Sequence, residues 1–207
     1  MKNICAITTY AILYGLYEYN IVYYSLRLLQ YLTKYGNWFI MWFLFFTICA
    51  TLKMKRIDIL YYLLWFSTIE DIIFWLCSWY RYSKYPYPVG NWYDEELPMF
   101  RLFHLGKAVG FEPQVPLFYY ISLGICMVYF ILNQCKYHKL IKYWNYIVLP
   151  PMYILIIGSL LLPKEIDPTN VFVIFATILS AYYTTILIMI LYRYKQQYYG
   201  SIYPEFV

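Results

Sequence analysis

Apolar and polar positions along this chain sort into long blocks, not into the short alternations of a soluble amphipathic protein. Between Lys34 and Lys53 lie 18 uncharged residues, between Glu112 and Lys136 there are 23, between Lys142 and Lys164 there are 21, and between Asp167 and Arg193 there are 25. A helix needs about 20 predominantly apolar residues to cross the ~30 Å hydrocarbon layer of a bilayer, so each block predicts a membrane-spanning helix. Two further blocks are interrupted only by acids: Asn3 to Leu26 by Glu18, and Ile59 to Tyr80 by the neighbours Glu70 and Asp71. The expected architecture is all-α, a polytopic bundle of six transmembrane helices over residues 3–26, 35–52, 59–80, 114–133, 143–162 and 170–192. Together they form one integral membrane domain across 1–207.

The connections carry the orientation signal. Nine Lys and Arg fall on the side of Lys2, Lys53, Lys55, Arg56, Lys136, Lys139, Lys142, Arg193 and Lys195, against seven on the other side, four of which sit in one long loop with Asp94, Glu95, Glu96 and Glu112. Positive residues in short loops mark the cytoplasmic face, so both termini are expected in the cytoplasm and the 81–113 loop outside. Lys2 followed by the apolar run Ile4 to Leu16 has the outline of a secretion signal, but no A-x-A-like cleavage site follows, and a retained first span is expected.

The outer loop has two halves. Pro86 and Pro88 keep the first half out of regular helix. The second, Pro98 to Val109, places Arg101, His104 and Lys107 on one helical arc with Leu102, Met99 and Leu105 opposite, which predicts an interfacial amphipathic helix. Its basic arc would rest against lipid headgroups, or would hold a phosphate or carboxylate over the mouth of the bundle.

Composition agrees with a membrane setting. The chain is 63% apolar and 13% charged, against about 25% charged in soluble domains. The net charge of +5 is spread among 29 Tyr, 14 Phe and 7 Trp, which is an aromatic composition and not a nucleic-acid-binding stripe. Tyr and Trp at span ends, such as Trp79-Tyr80 and Tyr143-Trp144, read as anchors at the water boundary. The five cysteines have no C-x-x-C spacing and read as packing residues.

The last span carries small residues at a spacing of four, Ala176, Ser180 and Thr184, a face suited to close helix contact. Pro150-Pro151 must kink or break the fifth span. Nucleotide-binding, zinc-hydrolase and nucleophile-elbow motifs are missing from the sequence.

The chemistry concentrates in Glu70 and Asp71, which fall at the middle of the third span. An ionised acid facing lipid there costs about 2.5–3.5 kcal/mol even on a lenient scale, and no predicted span has an interior Lys, Arg or His to compensate it. The pair must face inward and be protonated, hydrated, hydrogen-bonded or bound to a cation. Glu18 lies roughly 5 Å outward of the centre of the first span and Asn20 further out, so a ladder of polar groups forms if the first and third helices face each other.

The acid pair followed by Phe74-Trp75 resembles, over a handful of residues, the acidic-plus-aromatic helices of membrane carotenoid cyclases, without the prolines expected nearby. No family is assigned on it.

The leading expectation is a membrane-embedded enzyme acting on a lipid or isoprenoid, with Glu70, Asp71 and Glu18 as acid and base groups and Arg101, His104, Lys107 and Asn20 as ligand-binding residues. A proton or cation carrier using the same carboxylates, and a structural or assembly subunit, are the alternatives. No organic cofactor is expected; a metal, if bound, would be a hard divalent cation held by carboxylates. The expected partners are the lipid bilayer and its lipid or isoprenoid substrate, with no nucleic acid.

Overall fold

The structure is a computed structural model that describes residues 2–24, 27–82, 97–110, 114–163 and 165–202. Its long helices are α1 (Lys2–Tyr24), α2 (Arg27–Thr51), α3 (Arg56–Tyr82), α5 (Leu117–Gln134) and α8 (Pro168–Ile202). A short α4 (Pro98–Phe103) precedes α5, and α6 (His138–Ile147) and α7 (Leu149–Leu161) lie between α5 and α8. Strands β1 (Ala108–Val109) and β2 (Val115–Pro116) form a two-stranded antiparallel clip. Among the described residues, four helical stretches are long and apolar enough to cross a membrane: Arg56–Cys77, Leu117–Gln134, His138–Ser159 and Pro168–Tyr194. This chain is therefore a helical membrane protein. The first two expected spans do not reach that standard. Lys2, Asn3, Glu18 and Asn20 lower the hydropathy of α1, and in α2 the apolar stretch among the residues whose side chains are described is Phe39–Thr51.

Helix α3 is the axis of the bundle. On one side α1 runs parallel to it: the Trp65 indole N–H donates to Thr8 Oγ1 at 2.9 Å, Tyr10 stacks on Phe66 at 5.0 Å, and Tyr19 meets Phe74 edge-on further along. On the other side α5 runs antiparallel. Tyr129 donates to Asp58, Tyr129 stacks on Tyr61 at 3.6 Å, and the Thr68 and Ser122 hydroxyls are hydrogen-bonded at 2.7 Å. Two apolar clusters result from this arrangement. Ile7, Ala11, Tyr14, Phe45 and Phe66 fill the α1–α2–α3 side, while Tyr61, Met99, Tyr129, Met152 and Val171 fill the other.

The double proline acts where expected. α6 ends at Ile147 and α7 begins at Leu149, so Pro150 and Pro151 sit in the first turn of α7, where no intrahelical donor is required. α8 then returns alongside, with the Tyr183 hydroxyl donating to the Ile147 carbonyl at 2.8 Å. Its Thr177, Ser180, Ala181, Thr184 and Thr185 are exposed, so the small-residue face is not used for packing within the chain.

The expected interfacial helix over 98–109 is corrected. α4 stops at Phe103 because His104 takes the left-handed conformation (φ 51°) and its N–H, with that of Leu105, closes the helix end onto Arg101 and Phe100 carbonyls. Lys107 to Val109 then joins the β-clip, with Leu117 N–H donating to the Lys107 carbonyl at 2.9 Å. Pro98, Met99 and Phe100 are buried, so α4 is packed within the protein against α7 and α8 and does not lie on a lipid surface. The proline-rich half of the 81–113 loop, its acids Asp94 to Glu96 and Glu112 lie outside the described residues.

Asp167 starts α8. Its carboxylate accepts the Thr169 backbone N–H at 2.7 Å, and Pro168 occupies the first helical position. That hydrogen bond, aided by the Thr169 hydroxyl and by nearby Arg101, holds the Asp167 carboxyl below the usual carboxylate value. A depressed folded-state value means that the stabilisation is fully present above the unfolded value of about 3.9 and is lost as pH falls through the folded one. Asp167→Asn should therefore flatten the acid limb of the thermal-stability profile and leave the neutral limb nearly unchanged. An unaltered acid limb would show that the cap is not formed.

Candidate functional site: carboxyl groups between three helices

Gly15 is the local cause of the site. A Cβ built there would stand 2.6 Å from the backbone oxygen of Glu70 and 3.1 Å from Ile73 Cβ, so α1 approaches α3 at a distance that no other residue permits. Glu18 is three residues further on and projects from the same face of α1. The close approach brings its carboxyl into hydrogen-bonding reach of the Glu70 carboxyl. Glu70 is 6% exposed, and its Oε1 has no hydrogen-bond partner. Tyr14, itself buried, stands near both carboxyls, and Tyr10 stands near Glu70.

Successive residues on a helix point about 100° apart, and the two central acids diverge accordingly. Glu70 turns toward α1, while Asp71 turns toward α5, where the Tyr119 side chain is its hydrogen-bonding partner. One turn along the same seam lies the Thr68–Ser122 hydroxyl pair, each member also donating to or positioned over its own helix backbone. The central acids thus belong to two couples, Glu70 with Glu18 and Asp71 with Tyr119. Glu70 and Asp71 also act on each other as neighbouring carboxyls.

The other expected site residues are not gathered here. The Asn20 amide donates to the Leu16 carbonyl of its own helix at 2.7 Å, which takes it out of a ladder toward the outer loop. The Arg101 guanidinium donates to the Ile166 carbonyl at 2.9 Å and ties α4 to the turn before α8. His104 and Lys107 are exposed beyond the end of α4. Because α4 ends before either, the basic arc of a single helix does not exist.

Two participants were not apparent from the sequence alone. Tyr119 was one of many tyrosines near a span end and had no signal to separate it from an anchor. Gly15 did have one: a glycine inside an apolar block, three residues before its only acid.

Chemically, the site brings two carboxyls within reach of each other, Glu70 buried and Glu18 partly exposed, with no basic side chain paired to Glu70 among the described residues. Two carboxylates there would face both desolvation and mutual repulsion. Among the described residues no three His, Cys, Asp or Glu side chains are grouped as a metal ion would require. No family model, curated protein or solved structure matches this chain.

Proposed function

We propose that this protein is a multi-pass transporter-like membrane protein that carries protons by loading and unloading the Glu18–Glu70 couple. In this reading six helices span the bilayer, with the expected spans 3–26 in α1 and 35–52 in α2 added to the four. The end bearing Lys2, Lys53, Lys136 and Arg193 faces the cytoplasm of a cell membrane, in keeping with the positive-inside rule. The single observation that carries the proposal is the Glu70 carboxyl, buried at a helix interface, facing a second carboxyl and with one oxygen unpartnered. Intramembrane acids of this kind serve ion and proton pathways by default.

Releasing the proton leaves a carboxylate between α1 and α3, which is tolerable only if water or a cation reaches it. Proton release is therefore coupled to loosening of the α1–α3 contact at Gly15. A cation entering there would be a small one held by the two carboxylates in place of the proton.

The second reading is the membrane-embedded enzyme acting on a lipid or isoprenoid. It is favoured by the Asp71–Tyr119 couple, a carboxyl and a phenol in one hydrogen bond, which is a suitable pair for proton transfer to and from a bound substrate. An assembly subunit would need its acids turned outward to a cationic partner helix, and Glu70 is turned inward.

The test is dissipation of an imposed pH gradient in proteoliposomes containing the wild-type protein. Faster dissipation than in protein-free vesicles supports the proton carrier. Equal rates, with turnover of an added polyisoprenoid or phospholipid, would support the enzyme in its place.

A further inference from the structure

The two turns at one end of the bundle are both built around lysines. In the α2–α3 turn, Lys53 is left-handed (φ 51°), with the N–H groups of Lys53 and Met54 closing onto the Ala50 and Cys49 carbonyls. In the α5–α6 turn, Lys136 is left-handed (φ 58°), and Lys136 and Tyr137 close onto Asn133 and Leu132 in the same pattern. Glycine is the usual residue at such a position, since a side chain there crowds the backbone. Both positions instead present a cation at the carbonyl end of a helix, where the dipole favours it.

The antiparallel α3–α5 pairing holds these turns together. The Tyr129 hydroxyl donates to Asp58, and the Tyr61 hydroxyl donates to Asn145 of α6 at 2.9 Å, so the first turns of α3, the last of α5 and the body of α6 are cross-tied. Lys53, Lys55 and Arg56 from one turn and Lys136, Lys139 and Lys142 from the other are all exposed at this end. Asp58 is the acid at this end among the described residues, and it is half-buried and engaged by Tyr129. The six cations thus lie at one end of the bundle, where the carboxylate among the described residues is already engaged. Tyr137, Tyr143 and Tyr146, at and after the start of α6, are exposed beside these cations, and such rings favour the headgroup layer.

We infer that this patch binds the phosphate headgroups of anionic phospholipids and seats the α2–α3 and α5–α6 turns on the membrane surface. Charge complementarity and position select the occupant. Six exposed cations just before, or in the first two turns of, helices long enough to span a membrane are suited to reach lipid phosphates, and clusters of four to eight such residues recognise anionic lipid. The inference is independent of what the buried carboxyls do.

The experiment adds phosphatidylglycerol or phosphatidylcholine to the purified full-length protein in detergent, and reads the thermal unfolding midpoint together with the lipids retained in native mass spectrometry. The expected result is a higher midpoint and more retained lipid with phosphatidylglycerol. Both gains should be lost in the Lys53→Gln/Lys55→Gln/Lys136→Gln/Lys139→Gln variant, with affinity falling about fivefold for each lysine removed. The milder Lys139→Gln/Lys142→Gln variant should show part of the loss, and Lys107→Gln, at the opposite end, none. Equal effects of the two lipids, or a full phosphatidylglycerol effect in the quadruple variant, would overturn the inference. So would tighter binding of an oligonucleotide or of inorganic phosphate than of phosphatidylglycerol at the same salt concentration.

Discussion

Gly15→Ala destabilises the bundle by about 1–3 kcal/mol, and Gly15→Leu by more, because the added carbon meets backbone and not a movable side chain. The Cβ would lie 2.6 Å from the Glu70 carbonyl oxygen, a group fixed in the ladder of α3, and 3.1 Å from Ile73 Cβ, which is attached directly to that backbone. The whole of α1 must move away. Two other glycines serve as internal controls. At Gly158 the new carbon would meet the Met99 Cε at 2.7 Å, the far end of a flexible side chain, so Gly158→Ala costs less. At Gly124 nothing lies within 4 Å, and alanine there gains helix propensity of about 0.5–1 kcal/mol. The rank order Gly124→Ala, Gly158→Ala, Gly15→Ala in unfolding midpoint is the expected readout. A Gly15→Ala variant as stable as Gly124→Ala would mean that α1 does not approach α3 closely.

On the proposed proton-carrier reading, Glu70→Gln is expected to lower proton transport sharply while leaving the fold intact. The amide keeps the size and hydrogen-bonding reach of the acid, so it can still meet Glu18, but it cannot release a proton. Stability should be unchanged or slightly raised, because the variant no longer requires a shared proton in an apolar interior. Transport in proteoliposomes should fall at least tenfold, a loss of about 1.4 kcal/mol or more in transition-state terms. Glu18→Gln should act in the same direction. Asp71→Asn should lower transport less than Glu70→Gln does, since Asp71 is hydrogen-bonded to Tyr119 and acts on Glu70 only through its charge. The opposite pattern, with transport surviving Glu70→Gln and a lipid conversion lost in Asp71→Asn, would move the functional centre to the Asp71–Tyr119 couple.

Much of the helical architecture was legible because apolar block length is a direct statement about what a bilayer tolerates. The acids stood out for the same reason, as charges where none should be. What was not legible came from tertiary contacts. The wheel over 98–109 is a sound amphipathic pattern, yet His104 and Gly106 end the helix after one and a half turns, and the buried Met99 face packs against Gly158 of α7. Arg101 looked like a ligand-binding cation because a sequence cannot reveal the Ile166 carbonyl that it caps. The separate hydrogen-bonding partners of Glu70 and Asp71, Glu18 and Tyr119, were hidden because adjacency in the chain conceals the angle between neighbouring helical side chains. Tyr119 was hidden by composition, since in a chain with 29 tyrosines no single one stands out.

The basic turns teach a related point. Lys53, Lys136 and His104 each occupy a helix-ending position where glycine is the default, and no local rule predicts a helix stop at any of them. Their turns are imposed by the next elements in the chain, through the docking of α3 and α6 on the bundle and through the β-clip after α4.

In the proposed carrier, Glu70 holds a proton shared with Glu18 in the membrane interior. Infrared difference spectroscopy of the carboxyl stretch in the reconstituted protein tests it most directly, with Glu70→Gln and Glu18→Gln for assignment and with magnesium present or absent. The expected result is a protonated-carboxyl band that persists at neutral pH, shifts in Glu18→Gln and disappears in Glu70→Gln. Full ionisation of both groups at about pH 5, near the range of exposed carboxylates, with no metal added, would contradict it.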